Sequence, residues 1–179
     1  YTDHACVLGR SRSSTAPASL LQRMCSLQCL HWKHSKLLGS LIVSKKKSTR
    51  GKPLKIALWD IRRAHFYGKA QRKVYINLPE DDAEKGKCGL LEKSMYGTQD
   101  ASQAWEKDNS ATLVEGGLVR GKSNGALYYW PEEDLRLEVY GDDFIRLGDE
   151  EALDKLQSLL GKKYDLKVAG SMGPEEGDE

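Results

Sequence analysis

Two adjacent aspartates lie in the middle of a strand-like segment, LEVYGDDFIRL, in the last quarter of the 179-residue chain. Alternating apolar residues on both sides predict two antiparallel strands, and Gly141 and Asp142 favour a tight turn between them. A turn accounts for one aspartate but not for Asp143, which would begin the returning strand, where aspartate is disfavoured. Because neighbouring carboxylates repel each other unless a cation compensates them, the second interpretation is a divalent-metal site with oxygen ligands.

A third carboxylate stands at the end of another predicted strand. The apolar run at 56–59 predicts a buried strand, and Asp60 follows it directly. Carboxylates on strand ends can hold two metal ions about 3.5 to 4 Å apart, which is the arrangement used in nucleotidyl transfer. We therefore expect Asp60 and Asp142 on the same face of the sheet, with carboxylates within about 4 to 7 Å of each other.

Composition and charge place the chain among soluble proteins with a well-solvated surface, since 39% of its residues are hydrophobic, 30% are charged and the net charge is +2. The basic run SKKKSTRGKPLK at 44–55 is either a phosphate contact or a solvated linker. Cys25, Cys29, His31 and His34 suggest zinc, but their spacing leaves no loop between ligand pairs. An amphipathic helix at about 18–32 is the simpler interpretation.

The expected elements alternate along the chain without an internal repeat. After the strand that ends at Asp60 we expect short strands in VYINLP and CGLLEK, and a helix that begins near Ala101 and is stopped by Gly116. A strand in ALYYW, the aspartate hairpin and a helix capped by Asp149 complete the pattern. Strands and helices interspersed around an antiparallel hairpin predict the α+β class. No signal peptide or membrane span is expected, and a reducing intracellular compartment, cytoplasm or nucleus, is the default.

Four sequence blocks carry a family resemblance. LWDIRRAHFYGKAQRKVYINLPE is similar to a catalytic block in which an aspartate precedes an Ala-aromatic pair and a later VY…P strand. CGLLEKSMYGTQDASQAW resembles L-x-K-S-L-Y-G-L-K-Q-A-P-R-x-W, VYGDDFI resembles Y-V-D-D, and KYDLKVAGSMG is similar to the segment that follows. The blocks occur in the order of one family across residues 55–173, so the chain resembles the reverse transcriptase of Ty1/copia-type LTR retrotransposons.

The resemblance implies a polymerase palm, a split βαβ-like antiparallel sheet with packed helices, and RNA-directed DNA polymerase activity. It also implies two Mg²⁺ ions, with Mn²⁺ as a substitute, held by Asp60 and Asp142 with Asp143 as third carboxylate and Ile61 beside them. Residues next to the incoming nucleotide and template base would be Ala64, His65, Phe66, Tyr96, Gly97 and Gln99, and Tyr140 and Gly141 would position the primer end. The implied partners are an RNA or DNA template with its primer, deoxynucleoside triphosphates and the remaining parts of the polyprotein.

Several positions depart from the family pattern. Gly141 replaces an apolar residue and is expected to loosen the turn, Asp100 and Ser102 replace Gln and Pro, and His65 replaces a larger aromatic. We expect a segment at 1–50 that is a remnant of the fingers with a basic linker, and a palm at 51–179. Incomplete fingers and the lack of a thumb, RNase H, integrase or protease suggest a fragment or a decayed copy that would polymerise poorly alone.

Two functions are alternatives to reverse transcriptase activity. One is a catalytically inactive palm remnant that at most binds nucleic acid through its basic run and exposed aromatic residues. The other is an RNA-dependent RNA polymerase, in which Gly-Asp-Asp is common. His65 disfavours it, because those enzymes usually place an aspartate five positions after the first metal ligand.

Overall fold

A computed structural model of the chain describes residues 32–79, 81 and 87–173. Its helices are α1 (Trp32–Lys45), α2 (Ala101–Glu115) and α3 (Glu150–Gly161), with a single 3₁₀ turn at Ala64–Tyr67. Its strands are β1 (Lys55–Ile61), β2 (Tyr75–Ile76), β3 (Gly89–Leu90), β4 (Val119–Arg120), β5 (Leu127–Trp130), β6 (Leu135–Tyr140), β7 (Asp143–Gly148) and β8 (Leu166–Met172).

Six of these strands form one antiparallel sheet in the order β4-β5-β6-β7-β1-β8, and β2 pairs separately with β3. Since β1 and β6 are both antiparallel to β7, they run parallel to each other with β7 between them. The chain passes from β1 through α2 to β6 and from β7 through α3 to β8, which is a split βαβ arrangement. The α+β class predicted from the sequence is confirmed.

Helices α2 and α3 cover one face of the sheet. Residues that alternate along β1 and the hairpin face them, and the resulting core cluster is almost solvent-free. It includes Trp59, Ile61, Leu137 and Phe144 from the strands and Trp105, Leu113, Leu156 and Leu160 from the helices. Burial of this apolar area is the main stabilising contribution to the fold.

Helix α1 covers part of the opposite face. Leu38 and Ile42 pack there against Leu54 and against side chains of β1 and β7, namely Ile56, Leu58, Ile145 and Leu147. These strand residues lie toward the start of β1 and the end of β7. The other end of this face, at the end of β1 and the start of β7, carries partly exposed carboxylates in place of core residues.

Most elements lie where the sequence predicts them. Strand β1, the hairpin, α2 and α3 are all present, and the Asp149 side chain accepts a hydrogen bond from the backbone N–H of Ala152 as the predicted cap. Helix α1 and strand β8 were not predicted. The helix predicted at about 18–32 lies almost wholly outside the described residues, as do Cys25, Cys29 and His31 of the zinc alternative. No helix among the described residues is long and apolar enough to cross a membrane.

Candidate active site

The aspartate hairpin is closed by a two-residue turn. Tyr140 and Asp143 form the last pair of the β6–β7 ladder, so Gly141 and Asp142 are the two central residues. Gly141 has φ 58°, and Asp142 has no positive φ. This is the pattern of a type II′ turn, whose first central position favours glycine and strains a β-branched side chain. Glycine therefore fits this turn without strain, and the expectation that Gly141 loosens the turn stays a prediction.

Two of the three candidate carboxylates lie directly opposite each other. Asp60 of β1 pairs with Asp143 of β7 in a register that runs without interruption from Lys55. By strand alternation, both side chains lie on the α1 side of the sheet, and both are partly exposed. Directly opposed residues bring their Cβ atoms within about 4.5 to 5.5 Å, so the two carboxylates are close and mutually repulsive.

The turn is attached to the end of β1 through its backbone. The Ile61 N–H donates a hydrogen bond of 2.9 Å to the Asp142 carbonyl. Ile61 itself is fully buried on the α2/α3 side, with its side chain away from the carboxylates. Asp142 is thereby held next to the residue that follows Asp60.

The phenol of Tyr96 is influenced by the charges of both Asp142 and Asp60. Burial raises the pKa of the Tyr96 phenol, and the negative charges of Asp142 and Asp60 raise it further. Hydrogen bonds from the backbone of His65 and Ala64 act in the opposite direction without cancelling the rise. Tyr96 thus remains neutral at physiological pH, and the structure brings it together with two carboxylates and the 3₁₀ turn.

The 3₁₀ turn carries three of the predicted nucleotide-binding residues. Ala64 is buried, and Phe66 contacts the Tyr96 ring edge-on with centroids 5.7 Å apart. The His65 ring lies 4.3 Å from the Tyr96 ring, and its Nδ1 is buried with no hydrogen-bond partner among the described residues. The turn is fixed at its end by Gly68, where a Cβ would come within 2.8 Å of the backbone of Ala104 in α2.

The remaining predicted residues are Tyr140, Gly97 and Gln99, and all three are exposed. Tyr140 lies opposite Asp143 on the same face and is 40% exposed. Gly97 has φ 86°, a conformation that suits glycine, and Gln99 is exposed in the loop before α2. The structure therefore places Gly97 and Gln99 on the surface.

One residue of the site was not predicted. Trp105 of α2 is buried, and its indole N–H donates a hydrogen bond of 2.6 Å to the carbonyl of Gly141. Its sequence signal is weak, because a tryptophan on the core face of a helix is ordinarily explained by packing. The general need of a buried indole N–H for an acceptor is the only indication that such a partner exists.

No group of three His, Cys, Asp or Glu side chains in the described ranges is arranged to hold a metal ion. The donor set of Asp60, Asp142 and Asp143 nevertheless consists only of carboxylate oxygens, which are the ligands that Mg²⁺ and Mn²⁺ prefer. Mg²⁺ is commonly held by one or two protein carboxylates together with substrate phosphates. These residues fit an ion shared with a nucleotide better than an ion in a preformed protein cage.

The basic run at 44–55 is largely engaged in ion pairs at the opposite end of the sheet. Arg50 binds both carboxylate oxygens of Asp149, at 2.7 and 2.9 Å, and an oxygen of Glu133 at 2.7 Å. Lys45 pairs with Asp134 at 2.8 Å. Further pairs join Lys52 to Glu151 and Lys55 to Glu150. The interpretation of this run as a phosphate contact is weakened, because most of its charges already have partners.

The chain belongs to the reverse transcriptase (RNA-dependent DNA polymerase) family, whose sequence profile matches residues 40–174. Within it, the chain belongs to the reverse transcriptases of Ty1/copia-type retrotransposons, as the four blocks indicated. A comparison with curated proteins gave no match. The match begins within α1 and includes the basic run and the split βαβ sheet, so it covers the sheet and the candidate site together.

Proposed function

We propose that the described sheet is a reverse transcriptase palm, extending over 51–179, and that its chemistry is metal-dependent nucleotidyl transfer in RNA-directed DNA synthesis. Residues 1–50 would belong to the segment that leads from the fingers. The observation that carries the proposal is the cross-strand pairing of Asp60 with Asp143, next to a turn that holds Asp142. Carboxylates that meet at strand ends in this way favour a divalent cation, whose preferred ligands are carboxylate oxygens.

In this proposal Asp60 and Asp142 are the main ligands of two Mg²⁺ or Mn²⁺ ions, with Asp143 and the backbone of Ile61 beside them. When bound, such ions activate the attacking oxygen and stabilise the leaving one. The chain's own contribution is to keep these carboxylates on rigid strand ends. Neither Asp60 nor Asp142 is a member of any ion pair found within the described ranges, so both are available to a cation.

The aromatic group beside the carboxylates would receive the nucleotide. Ala64, His65 and Phe66 would line the sugar, and Tyr96 would lie between them and the carboxylates, as its ring contacts favour. Gly97 and Gln99 would approach the nucleotide and the template base from the exposed loop. Tyr140 and Gly141 would position the primer end, since Tyr140 is exposed on the face that carries Asp143.

Primer extension tests the proposal. The chain is incubated with poly(rA)/oligo(dT), deoxythymidine triphosphate and Mn²⁺, and compared with Asp142→Asn, Asp60→Asn and the control Asp154→Asn on the surface of α3. We expect weak extension that requires the metal, falls by at least about 100-fold in the two site variants and is unchanged in the control. Extension that survives Asp142→Asn would contradict the assignment.

A second function is favoured by one observation, the lack of a three-ligand metal group among the described residues. A palm that no longer binds metal would at most bind nucleic acid through its exposed aromatic residues, of which Phe66, Tyr96 and Tyr140 are 39%, 44% and 40% exposed. Fluorescence anisotropy with a labelled primer–template separates the two functions. Binding that is insensitive to Mn²⁺ and to Asp142→Asn, without any extension, would favour the inactive palm.

A further inference from the structure

The two carbonyls of the aspartate turn are both bound from outside the hairpin. The Asp142 carbonyl accepts from the Ile61 N–H of β1 at 2.9 Å, and the Gly141 carbonyl accepts from the Trp105 indole of α2 at 2.6 Å. Neither bond belongs to the β6–β7 ladder, whose last pair is Tyr140 with Asp143. The position of the turn is thus set by two other elements of the fold.

The Trp105 ring is itself held firmly. It is 2% exposed and meets the Tyr164 ring edge-on at 5.2 Å, with the Tyr67 ring 6.2 Å away. The Tyr164 hydroxyl bonds Thr112 and Asp108 on α2, and the Tyr67 hydroxyl accepts from the backbone N–H of Asp165. An indole that is buried and in contact with two fixed rings presents its N–H at one place, so it is a rigid anchor for the carbonyl it binds.

The hydrogen bond from Trp105 is important for the turn because Gly141 has no side chain that could fix it. A glycine with positive φ and no atom within 4 Å of a would-be Cβ receives no side-chain packing that could fix the turn. Glycine also has more backbone freedom than any other residue, so an unanchored turn would sample several conformations. Asp142 is the next residue, and its carboxylate moves with the turn.

We infer that Trp105 is a positioning residue that fixes the carboxylate of Asp142 by donating its indole N–H to the Gly141 carbonyl. The inference rests on the proposed function for its catalytic meaning, since a fixed Asp142 matters most to a metal ion shared with Asp60. It gives α2 a role in the candidate site in addition to its packing against the sheet. Metal sites are sensitive to groups of this kind, because outer hydrogen bonds orient the ligands themselves.

The test compares Trp105→Phe, which keeps a buried aromatic ring but removes the N–H, with Trp59→Phe. Trp59 is a buried tryptophan of the same cluster, 3% exposed, and among the described residues its indole forms no hydrogen bond to Gly141 or Asp142. The first measurement is native-state amide hydrogen exchange by NMR on the full chain. The amide of Ile61 reports the turn, because its acceptor is the Asp142 carbonyl, and amides of α3 report global stability.

The quantity compared is the ratio of the Ile61 amide exchange rate to the exchange rate of the α3 amides. We expect this ratio to be about 3- to 10-fold higher in Trp105→Phe than in the wild type, which is the factor for loss of one hydrogen bond. In Trp59→Phe this ratio should stay at the wild-type value. An Ile61 amide that accelerates only as much as the α3 amides would show that Trp105 is an ordinary packing residue and would overturn the inference.

The second measurement is Mn²⁺ affinity by electron paramagnetic resonance titration. We expect the dissociation constant to rise by a similar factor in Trp105→Phe and to stay unchanged in Trp59→Phe. Wild-type affinity that survives Trp105→Phe would remove the functional part of the inference. A wild-type chain that binds no Mn²⁺ even with deoxythymidine triphosphate present would overturn the proposed function, while the exchange ratio would still decide whether Trp105 positions the turn.

Discussion

At the scale of single residues, His65 is one of the positions where the candidate site departs from the pattern that the resemblance implies. Its ring lies against Tyr96 at 4.3 Å and is partly exposed, where the resemblance implies a larger aromatic under the incoming sugar. An imidazole leaves more room than a phenyl ring and can form a hydrogen bond to a 2′-hydroxyl. Discrimination against ribonucleotides should therefore be weak.

The corresponding measurement is the ratio of ribonucleotide to deoxynucleotide incorporation in primer extension. We expect His65→Phe to lower this ratio by about 10-fold and His65→Ala to raise it, since a steric clash discriminates strongly. Deoxynucleotide use should change little. A ratio that is equal in all three proteins would show that His65 packs beside Phe66 and does not meet the sugar.

Arg146 is the residue that the fold accommodates least well. It lies in β7 on the core face, stacked over the Trp59 ring, and its Nε and Nη1 have no hydrogen-bond partner among the described residues. Burial lowers the pKa of the guanidinium to about 7, which shows how strongly this place disfavours the charge. Its neighbours across the strands are Leu137 and Ala57, so an apolar side chain would suit the position.

We expect Arg146→Leu to raise the free energy of unfolding by about 1 to 3 kcal/mol, because a buried guanidinium whose Nε and Nη1 have no hydrogen-bond partner among the described residues is replaced by an apolar group. Urea denaturation monitored by circular dichroism measures this, and the exposed Arg62→Leu serves as control. A destabilised Arg146→Leu would mean that the guanidinium has a stabilising partner.

At the scale of elements, the ion pairs at 45–55 join α1 and the start of β1 to the β5–β6 loop and to α3. The pair of Arg50 with the fully buried Asp149 is the centre of this group, whereas Lys52 and Glu151 are both well exposed. We expect Arg50→Ala to lower the free energy of unfolding by about 2 to 3 kcal/mol, since a buried carboxylate loses its partner.

The control for Arg50 is Lys52→Ala, which removes a charge from the same run. Its expected cost is below about 0.5 kcal/mol, because exposed pairs contribute little. Chemical denaturation of both variants decides the matter. An equal loss of unfolding free energy in Arg50→Ala and Lys52→Ala would show that the basic run acts only through its net charge.

Asp134, which belongs to this group of ion pairs, makes the stability of the fold sensitive to acid. Burial alone would raise its pKa, but hydrogen bonds from Lys45 and the Thr49 N–H, and the charge of Arg136, outweigh burial and lower the pKa to about 2. The unfolded chain therefore binds more protons than the folded chain below the ordinary value of 3.8. The stabilisation is complete above pH 4 and is lost as pH falls toward 2.

We expect the wild type to lose about 2 kcal/mol more than Asp134→Asn between pH 4 and pH 2. Asparagine is the suitable replacement, since residue 134 has φ 49° and asparagine tolerates that conformation. Urea denaturation across this pH range supplies the comparison. Parallel curves for the two proteins would contradict the role given to Asp134.

The elements that the sequence predicts correctly are those with a strong local signal. The apolar run before Asp60, the alternation around the hairpin and the Asp149 cap each depend on neighbouring residues alone. Helix α1 was missed because Gly39 and Ser40 interrupt its apolar pattern, and β8 because LKVAGSM contains a glycine and few buried residues. Trp105 could not be predicted, because its partner is a backbone carbonyl 36 residues away.

At the scale of the whole molecule, the sheet separates a structural end from a candidate reactive end. Asp60, Asp142 and Asp143 lie where β1 ends and β7 begins, whereas Asp149 and its partners lie at the other ends of the same strands. The acidic residues at the structural end have cationic partners. Because both ends carry carboxylates, the structural end is the main alternative position for a bound metal ion.

Paramagnetic broadening by substoichiometric Mn²⁺ in an NMR spectrum of the full chain distinguishes the two ends. We predict that the amide signals of Asp60, Ile61, Asp142 and Asp143 broaden first, that those of Glu133 and Asp149 persist, and that Asp142→Asn abolishes the effect. Broadening that begins at Glu133 and Asp149, or that is unchanged in Asp142→Asn, would contradict the assignment of the aspartates as the metal site.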